Sequence, residues 1–395
     1  MDDHRPVRVY LDTSDYSRFA DLERRPDGDL AEVLAYLRER TADGSIEVRF
    51  SAIHLFEFLK DPSQRALALR KVKILEELCG ERTFRSVGDV FRRESETLAE
   101  EPGIAADVSS DVGEWFPETD VTLDREEIIR RLLESFPSIK RRQLEAMLRK
   151  REAAAHLRME LQKALPLWRV YDSDLLERFL VGRVGAAEMA QSLARGFARP
   201  SVLIAHYLEG SQNAIKFFGA LIAMEQKIQT SLLKWREVAR ELVRVELAAG
   251  RDISDVRRQI KATLPTFAPE YLRLKDLPVN LQETLLQGHF ALELPGMSIH
   301  CSLVRAYLRE VVYPANAMPE LKESDAADIL HATYLPYTDL YRTDGRFAAL
   351  LRGLPAPTKD SIVAKARDLP VAIEKTLSTK RAARAVAKVP GGKPP

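Results

Sequence analysis

Strand patterns in this 395-residue chain lie almost only near its two ends, and the long middle is helical in pattern. Residues 7–11 and 45–50 are predicted strands that alternate with predicted helices, and the same alternation of strands and helices returns after about residue 315. Between these regions, apolar residues recur at helical spacing. One sheet must therefore combine two distant segments. This predicts an α/β core of parallel strands, discontinuous in sequence and interrupted by a mostly α-helical insert.

The same change of pattern predicts the domain boundaries. An α/β core of residues 1–90 and 316–375 is interrupted by a helical insert of residues 91–315, and a basic tail of residues 376–395 follows. The Gly and Pro content of this tail predicts that its last residues are disordered. With 45% hydrophobic residues, the chain can bury a sizeable core.

Charge and cysteine content exclude several classes of function. The 60 Lys and Arg residues nearly cancel the 59 Asp and Glu residues, so a net charge of +1 gives no global attraction to nucleic acid or membrane. Cys79 and Cys301 are too few for a disulfide scaffold or a cysteine-based zinc site, and suit a reducing cytoplasm. The longest apolar stretch, residues 217–224, is far shorter than the roughly 20 residues that span a bilayer. We therefore predict a cytoplasmic protein with no membrane partner.

Two helix boundaries follow from their flanking residues. Residues 61–80 are typical of a whole helix, with Asp61 as its cap and Gly80 as its stop. Residues 325–335 are predicted to form a short helix that Pro336 ends.

Two predicted strands end in aspartate. Asp12 follows the first strand, and Asp344 follows a strand predicted within residues 338–343. Ligands of an open parallel sheet bind outside the carboxyl ends of its strands, so these two carboxylates meet if their strands are close. Glu57 and Asp328 lie on helices that begin at the same edge. The pattern therefore predicts four converging carboxylates.

Acids beside these positions also have a structural interpretation. Ser14 or Asp15 is a good cap for the helix that follows the first strand. Asp325 is a good cap for the helix that carries Asp328. For Asp15 and Asp325 we favour this structural role over a ligand role.

Two histidines lie close in sequence to the predicted acids. His54 precedes Glu57 by three residues, and His331 follows Asp328 by three. A structural hydrogen bond is the simpler interpretation of both, because imidazole beside a carboxylate often makes only that. The remaining histidines form no zinc-like spacing with acids or cysteines, so no zinc site is predicted.

The order of the four acids resembles the PIN-domain family of metal-dependent nucleases. That family has an aspartate and then a small hydroxyl residue after the first strand, a glutamate in an early helix, an aspartate heading a later helix, and a Thr-x-Asp-like turn before a phenylalanine. The matching residues here are Asp12 in LDTS, Glu57 in SAIHLFEFL, Asp328 in DILHATYL and Asp344 in RTDGRF, with Thr343 and Phe347 in their expected places. The resemblance covers about residues 5–90 and 315–370 and implies a PIN-like parallel sheet flanked by helices.

The resemblance implies a divalent-metal-dependent nuclease, with RNA favoured over DNA. Phosphodiester hydrolysis needs an activated water and stabilisation of charge on the phosphoryl oxygens, and Mg²⁺ or Mn²⁺ supplies both. Carboxylates are the hard oxygen ligands that these ions prefer. Asp12 and Asp328 are predicted as direct ligands, Asp344 as a direct or water-mediated ligand, and Glu57 as a residue that orients water. The secondary candidates are Thr13, Ser14, Asp325 and Thr343.

Contact with nucleic acid is predicted to depend on local basic surface. Arg142, Arg149 and Lys150 lie on one predicted helix, and the two arginines are seven residues apart and hence nearly aligned. These residue types are equally ordinary on a solvated amphipathic helix, and both interpretations stay open. The helical insert is also a candidate surface for a protein partner.

Other functions fit parts of the pattern. A haloacid-dehalogenase-like phosphatase requires a second aspartate two residues after the first, where this chain has Ser14. A catalytically silent PIN-like scaffold, with the insert as a protein-binding module, is a further alternative, although such scaffolds often lose the carboxylates that this chain keeps. A toxin-like ribonuclease controlled by a partner protein would carry the same residues.

Overall fold

A computed structural model gives the architecture of most of the chain. The described residues are 5–60, 62–101, 103–111, 113–115, 125–135, 137–148, 173–197, 199–209, 277–287, 289–312, 325–354 and 359–387, with scattered positions between 219 and 258. Arg149 and Lys150, predicted to contact nucleic acid, lie outside these residues.

The described strands form one central parallel sheet and one small antiparallel pair. They are β1 Val7–Tyr10, β2 Ile46–Arg49, β3 Thr83–Phe84, β4 Ser109–Ser110, β5 Leu340–Arg342 and β6 Ile362–Val363. The central sheet has the order β2-β1-β5-β6, and all of its neighbours are parallel. β3 pairs with β4 in antiparallel fashion.

Helices surround this sheet. In chain order they are α1 Thr13–Asp21, α2 Gly28–Ala42, α3 Ala52–Leu59, α4 Arg65–Cys79, α5 Val87–Glu100, α6 Arg125–Ser135, α7 Arg141–Leu148, α8 Ser173–Leu180, α9 Ala186–Phe197, α10 Pro200–Leu208, α11 Val279–Gln287, α12 Pro295–Val312, α13 Asp325–Ala332, α14 Gly345–Arg352 and α15 Leu369–Ala387. None of the helices in the described ranges is both long and apolar enough to cross a membrane.

The two ends of the chain meet inside the sheet. β1 and β5 are neighbours, with Val9 opposite Leu340 and Tyr10 opposite Tyr341. The predicted α/β class, with a parallel sheet built from two distant segments, is therefore confirmed.

Side chains alternate between the two faces of the sheet and are buried on both. Val9 and Leu340 belong to one apolar cluster, which also contains residues of α2, α4 and α15. Tyr10 and Tyr341 point to the opposite face and belong to a second cluster with residues of α5, α12, α13 and α14. This period of two is the geometry of a strand, and burial on both faces is typical of parallel sheets.

The first and last helices of the predicted insert pack on the core. α5 runs through the predicted boundary at residue 91, and α12 contacts both α5 and α13. The buried Glu94 carboxylate accepts hydrogen bonds from the backbone N–H groups of Gly296 at 2.5 Å and Met297 at 3.0 Å. Residue 91 therefore lies inside a helix, and both α5 and α12 contribute to the apolar cluster on one face of the sheet. The division of the chain into domains stays a prediction.

Three predicted boundaries need correction. α4 begins at Arg65 after a 3₁₀ turn over Pro62–Gln64, and the predicted cap Asp61 lies outside the described residues. The predicted stop at Gly80 is confirmed by a φ of 58° there. α13 ends at Ala332, before the predicted end. The predicted tail is helical as far as Ala387, because it is rich in Ala, Lys and Arg, which are good helix formers.

Candidate functional site

The predicted acids Asp12 and Asp344 follow adjacent strands of the sheet. Each lies two residues beyond the end of its strand, at Tyr10 for β1 and at Arg342 for β5. Because Tyr10 is opposite Tyr341, Asp12 is level with Thr343. The Thr343 hydroxyl donates to Asp12 Oδ2 at 3.4 Å. The carboxyl edge of the sheet therefore holds both acids in one cleft, which we call the carboxylate cleft.

Both aspartates also cap helices. Asp12 is the N-cap of α1, and its Oδ1 accepts the Ser14 N–H at 2.7 Å. Asp344 is the N-cap of α14, and its Oδ1 accepts the Phe347 N–H at 2.8 Å. One oxygen of each carboxylate is thus engaged by backbone.

Asp328 is the acid most affected by its neighbours. It lies on α13, which contacts α3, the helix of Glu57. Burial raises the pKa of Asp328 to about 8, and the negative charges of Asp12, Glu57, Asp344 and Asp325 add to the shift. The other three predicted acids are therefore close enough to Asp328 to disfavour its negative charge, and a proton on Asp328 relieves that repulsion.

Glu57 is held ionised by a histidine. His331 Nε2 lies 3.0 Å from Glu57 Oε2 and 3.3 Å from the Thr13 hydroxyl oxygen. Burial favours the neutral acid, but the hydrogen bond and charge of His331 and a bond with Thr13 lower the pKa of Glu57 to about 2. Because an ionised carboxylate only accepts, Nε2 of His331 carries the hydrogen of this bond.

The other side of the His331 ring is fixed by Tyr10. The Tyr10 hydroxyl oxygen lies 2.6 Å from His331 Nδ1 and 2.7 Å from the Ser51 hydroxyl oxygen. A buried chain of hydrogen bonds therefore runs from Ser51 through Tyr10 and His331 to Glu57. Sequence spacing placed His331 near the acids, but nothing in it indicated Tyr10, which comes from β1.

His54 has the structural role that was predicted for it. Its Nδ1 accepts the Ser51 N–H at 3.1 Å, and its Nε2–H donates to the Leu11 carbonyl at 2.9 Å. Burial and the nearby His331 lower the pKa of His54 to about 3, so the ring is neutral near pH 7. Both ring nitrogens are engaged by backbone groups, which fixes the tautomer.

A buried ion pair lies behind Asp12. The cap of α1 is Asp12, not Ser14 or Asp15 as predicted, because the helix begins directly after Asp12. Asp15 lies in the first turn and accepts the Asp12 N–H at 3.2 Å. Its Oδ1 also lies 2.8 Å from Nη2 of Arg342, and both side chains are almost inaccessible. Burial raises the pKa of Asp15 to about 7, although Arg342 favours the ionised form. The signal for this pair was an arginine inside a short apolar strand, since arginine is seldom buried without a partner.

The secondary candidates are engaged by protein groups. Asp325 is the first residue of α13, is buried and forms an ion pair with Arg346, and its predicted capping role stays a prediction. Thr13 and Thr343 are buried and contact His331 and Asp12, respectively.

The four acids do not form a preorganised metal centre. Within the described ranges, no group of three or more His, Cys, Asp or Glu side chains is arranged to hold a metal ion. At least one oxygen of each of Asp12, Asp344 and Glu57 is engaged by a protein donor. The donor chemistry nevertheless suits Mg²⁺ or Mn²⁺, since all four groups supply hard oxygens.

The basic helix of the insert lies apart from these contacts. Arg142 is exposed on α7. A role for it in nucleic-acid binding stays a prediction.

Comparisons of the chain with protein-family models, with curated proteins and with solved structures found no match. The resemblance to the PIN-domain family therefore stays an interpretation of the sequence motifs.

Proposed function

We propose that the carboxylate cleft is the active site of a divalent-metal-dependent nuclease that hydrolyses phosphodiester bonds, with RNA as the favoured substrate. The observation that carries the proposal is the position of Asp12 and Asp344 after adjacent parallel strands, near the half-buried Asp328. Perturbed pKa values concentrated in a cleft are typical of functional sites. The resemblance to PIN-like nucleases supplies the reaction class.

Asp12 and Asp328 would hold the metal ion directly, with Asp344 as a third ligand. Bound Mg²⁺ or Mn²⁺ supplies a water of lowered pKa and stabilises charge on the phosphoryl oxygens. Asp328 would lose its proton in favour of the ion, because a nearby cation reverses the effect of the neighbouring carboxylates.

Glu57 is the residue that orients a water in this proposal. His331 keeps its carboxylate ionised and fixes its direction, and Tyr10 in turn fixes the His331 ring. A carboxylate with a pKa of about 2 is a weak base, so Glu57 acts by accepting a hydrogen bond rather than by removing a proton near pH 7.

A second candidate function is that of a metal-free PIN-like scaffold that binds a protein partner. The capping bonds of Asp12 and Asp344 favour it, because they give both acids a structural role that needs no ion. The nuclease requires the carboxylates to bind Mn²⁺, whereas the scaffold does not.

Cleavage of a labelled single-stranded RNA by the full chain, with and without Mn²⁺, tests the proposal. We expect cleavage only with the ion. Asp12→Asn should reduce the rate by about 100-fold or more, because a lost ligand removes most of the stabilisation of the transition state. The amide oxygen of Asn still caps α1, so the fold should be retained.

The matched control is Asp21→Asn, at the last residue of the same helix α1. It should cleave like the unsubstituted protein. Absence of Mn²⁺-dependent cleavage on RNA and on DNA would contradict the nuclease, and equal activity of Asp12→Asn would contradict the site.

A further inference from the structure

A second set of charged residues borders the carboxylate cleft on its Asp344 side. A cavity of about 360 Å³ lies there, and Asp344 and Gly345 form part of its wall. Its lining comes from α1, α2, β5 and the segment after β6. We call it the basic cavity because four basic residues line it: Arg18, Arg342, Lys365 and Arg367.

Arg342 is the residue that points to a ligand. Its side chain is only 2% exposed, and one nitrogen, Nη2, faces Asp15. In the part of the chain that the structure describes, its buried Nε and Nη1 have no hydrogen-bond partner. Buried N–H groups of proteins are almost always paired with an acceptor. Two nitrogens of the guanidinium therefore lack hydrogen-bond acceptors among the described residues. Because Arg342 lines the cavity, a ligand bound there could supply those acceptors.

The other three positive side chains of the cavity lie at the protein surface. Arg18, Lys365 and Arg367 are exposed, and none of them makes a salt bridge with another described residue. The lining carries four positive side chains and three negative ones.

Acids line the same cavity, but they do not satisfy these donors. Asp27 accepts the Leu30 N–H at 3.2 Å, and Asp344 accepts the Phe347 N–H at 2.8 Å. Asp29 lies in the first turn of α2, where the helix dipole favours a negative charge. A bound cation would meet four positive side chains beside these acids, whereas an anion beside the same acids would meet the unpaired N–H donors of Arg342.

We propose that the basic cavity binds a backbone phosphate of single-stranded RNA, next to the phosphate that enters the carboxylate cleft. The inference rests on the proposed function, which it deepens by giving the strand a second contact. The planar fork of an arginine matches the oxygens of a phosphate, and contacts with backbone phosphates set the register of a nucleic acid without reading its bases. The cavity is large enough for a phosphate and part of its sugar.

Binding of inorganic phosphate to the metal-free full chain, measured by calorimetry, tests the cavity without any need for cleavage. A triple variant with Arg18→Gln, Lys365→Gln and Arg367→Gln should weaken phosphate binding by about tenfold or more. Arg342→Lys should also weaken it, because it keeps the charge beside Asp15 but loses the fork. Arg381→Gln, a change of one exposed arginine on α15 outside the cavity, is the control and should bind phosphate as before.

Binding of a single-stranded RNA at several salt concentrations provides the second readout. The triple variant should weaken RNA binding and flatten its salt dependence by somewhat less than one log unit per lost contact. If the unsubstituted protein binds no phosphate, or if the triple variant behaves like Arg381→Gln, the cavity assignment is wrong. Loss of phosphate binding with unchanged RNA affinity would overturn the RNA assignment in favour of a free anion. Intact binding without any Mn²⁺-dependent cleavage would instead overturn the nuclease and leave the phosphate site standing.

Discussion

Single residues of the cleft differ in which protonation state the fold stabilises. Partial burial and the neighbouring carboxylates raise the pKa of Asp328 to about 8, whereas the hydrogen bond from His331 helps to lower the pKa of Glu57 to about 2. Neighbouring acids with pKa values pushed apart in this way are typical of sites that separate the roles of two carboxyl groups. Each shift gives a dependence of stability on pH with a definite sign.

Asp328→Asn should stabilise the metal-free protein, and the gain should grow with pH. The folded pKa of about 8 lies above the ordinary 3.8, so the folded state holds one extra proton between these values and loses stability as pH rises through them. Asparagine has nearly the same shape as aspartate but does not ionise, so the variant should not lose this stability as pH rises. Thermal melts at pH 4, 6 and 8 should show no gain at the lowest pH and about 2–4 °C at the highest. The control is Asp360→Asn, at an exposed position, which should change the melting temperature equally at every pH. The same behaviour in Asp328→Asn would contradict the raised pKa of Asp328.

His331→Ala should make the protein more sensitive to acid. The pKa of Glu57 lies near 2, below its ordinary 4.5, so Glu57 stabilises the fold above pH 4.5, and this contribution is lost as pH falls through 2. Without His331, burial dominates and raises that pKa, which moves acid unfolding to higher pH. His331→Gln keeps an N–H donor and should shift the acid midpoint less. The midpoint is measured by circular dichroism, and an unchanged value in the alanine variant would contradict the pairing.

At the scale of elements, the cleft exists because β1 and β5 are parallel neighbours and each leads into a helix that its aspartate caps. The caps give Asp12 and Asp344 two separable properties. One oxygen stabilises a helix start, and the charge is what a metal ion would bind.

Substitutions at Asp344 should separate these two properties. Asp344→Ala loses the bond to the Phe347 N–H and should lower the free energy of unfolding by about 1 kcal/mol, whereas Asp344→Asn keeps a capping oxygen and should not. Both variants remove the charge and should lose most of the rise in melting temperature on adding Mn²⁺. Denaturant unfolding with and without Mn²⁺ measures both effects. A full Mn²⁺ response in the asparagine variant would show that Asp344 only caps α14.

Sequence patterns predicted the elements of the cleft better than the contacts inside it. β1, β2 and β5 were predictable because alternating apolar residues stop at polar ones, and Asp12 follows such a stop directly. The two-residue strands β3, β4 and β6 are too short to show any period. The pairing of Asp15 with Arg342 joins residues 327 positions apart, so only the order of the strands brings it about. The chain of hydrogen bonds from Ser51 to Glu57 also joins residues from distant parts of the sequence, so it too depends on the order of the strands.

At the scale of the whole molecule, the two described helices at the ends of the predicted insert, α5 and α12, pack against each other beside the sheet. The contact between α5 and α12 depends on Gly296, whose N–H donates to the buried Glu94. A Cβ at this glycine would lie 3.0 Å from Glu94 Oε1 and 3.2 Å from the Thr333 carbonyl oxygen. Backbone at that distance cannot move cheaply.

Gly296→Ala should therefore destabilise the protein, by about 1–3 kcal/mol, because the added methyl group overpacks this contact. Gly28→Ala is the matched control, since nothing lies within 4 Å of its Cβ position. It should be neutral or slightly stabilising at the start of α2. Equal stability of the two variants in denaturant unfolding would show that α12 does not pack on α5 as described.

The most direct test of the central claim is anomalous diffraction from crystals soaked in Mn²⁺. We predict a manganese peak in the carboxylate cleft, about 2.1 Å from oxygens of Asp12 and Asp328. Asp344 should then lie within direct or water-mediated reach of the ion. Soaked crystals with no manganese in the cleft, and with Asp12 and Asp344 still bonded only to their helix N–H groups, would contradict the metal-dependent nuclease and favour the scaffold.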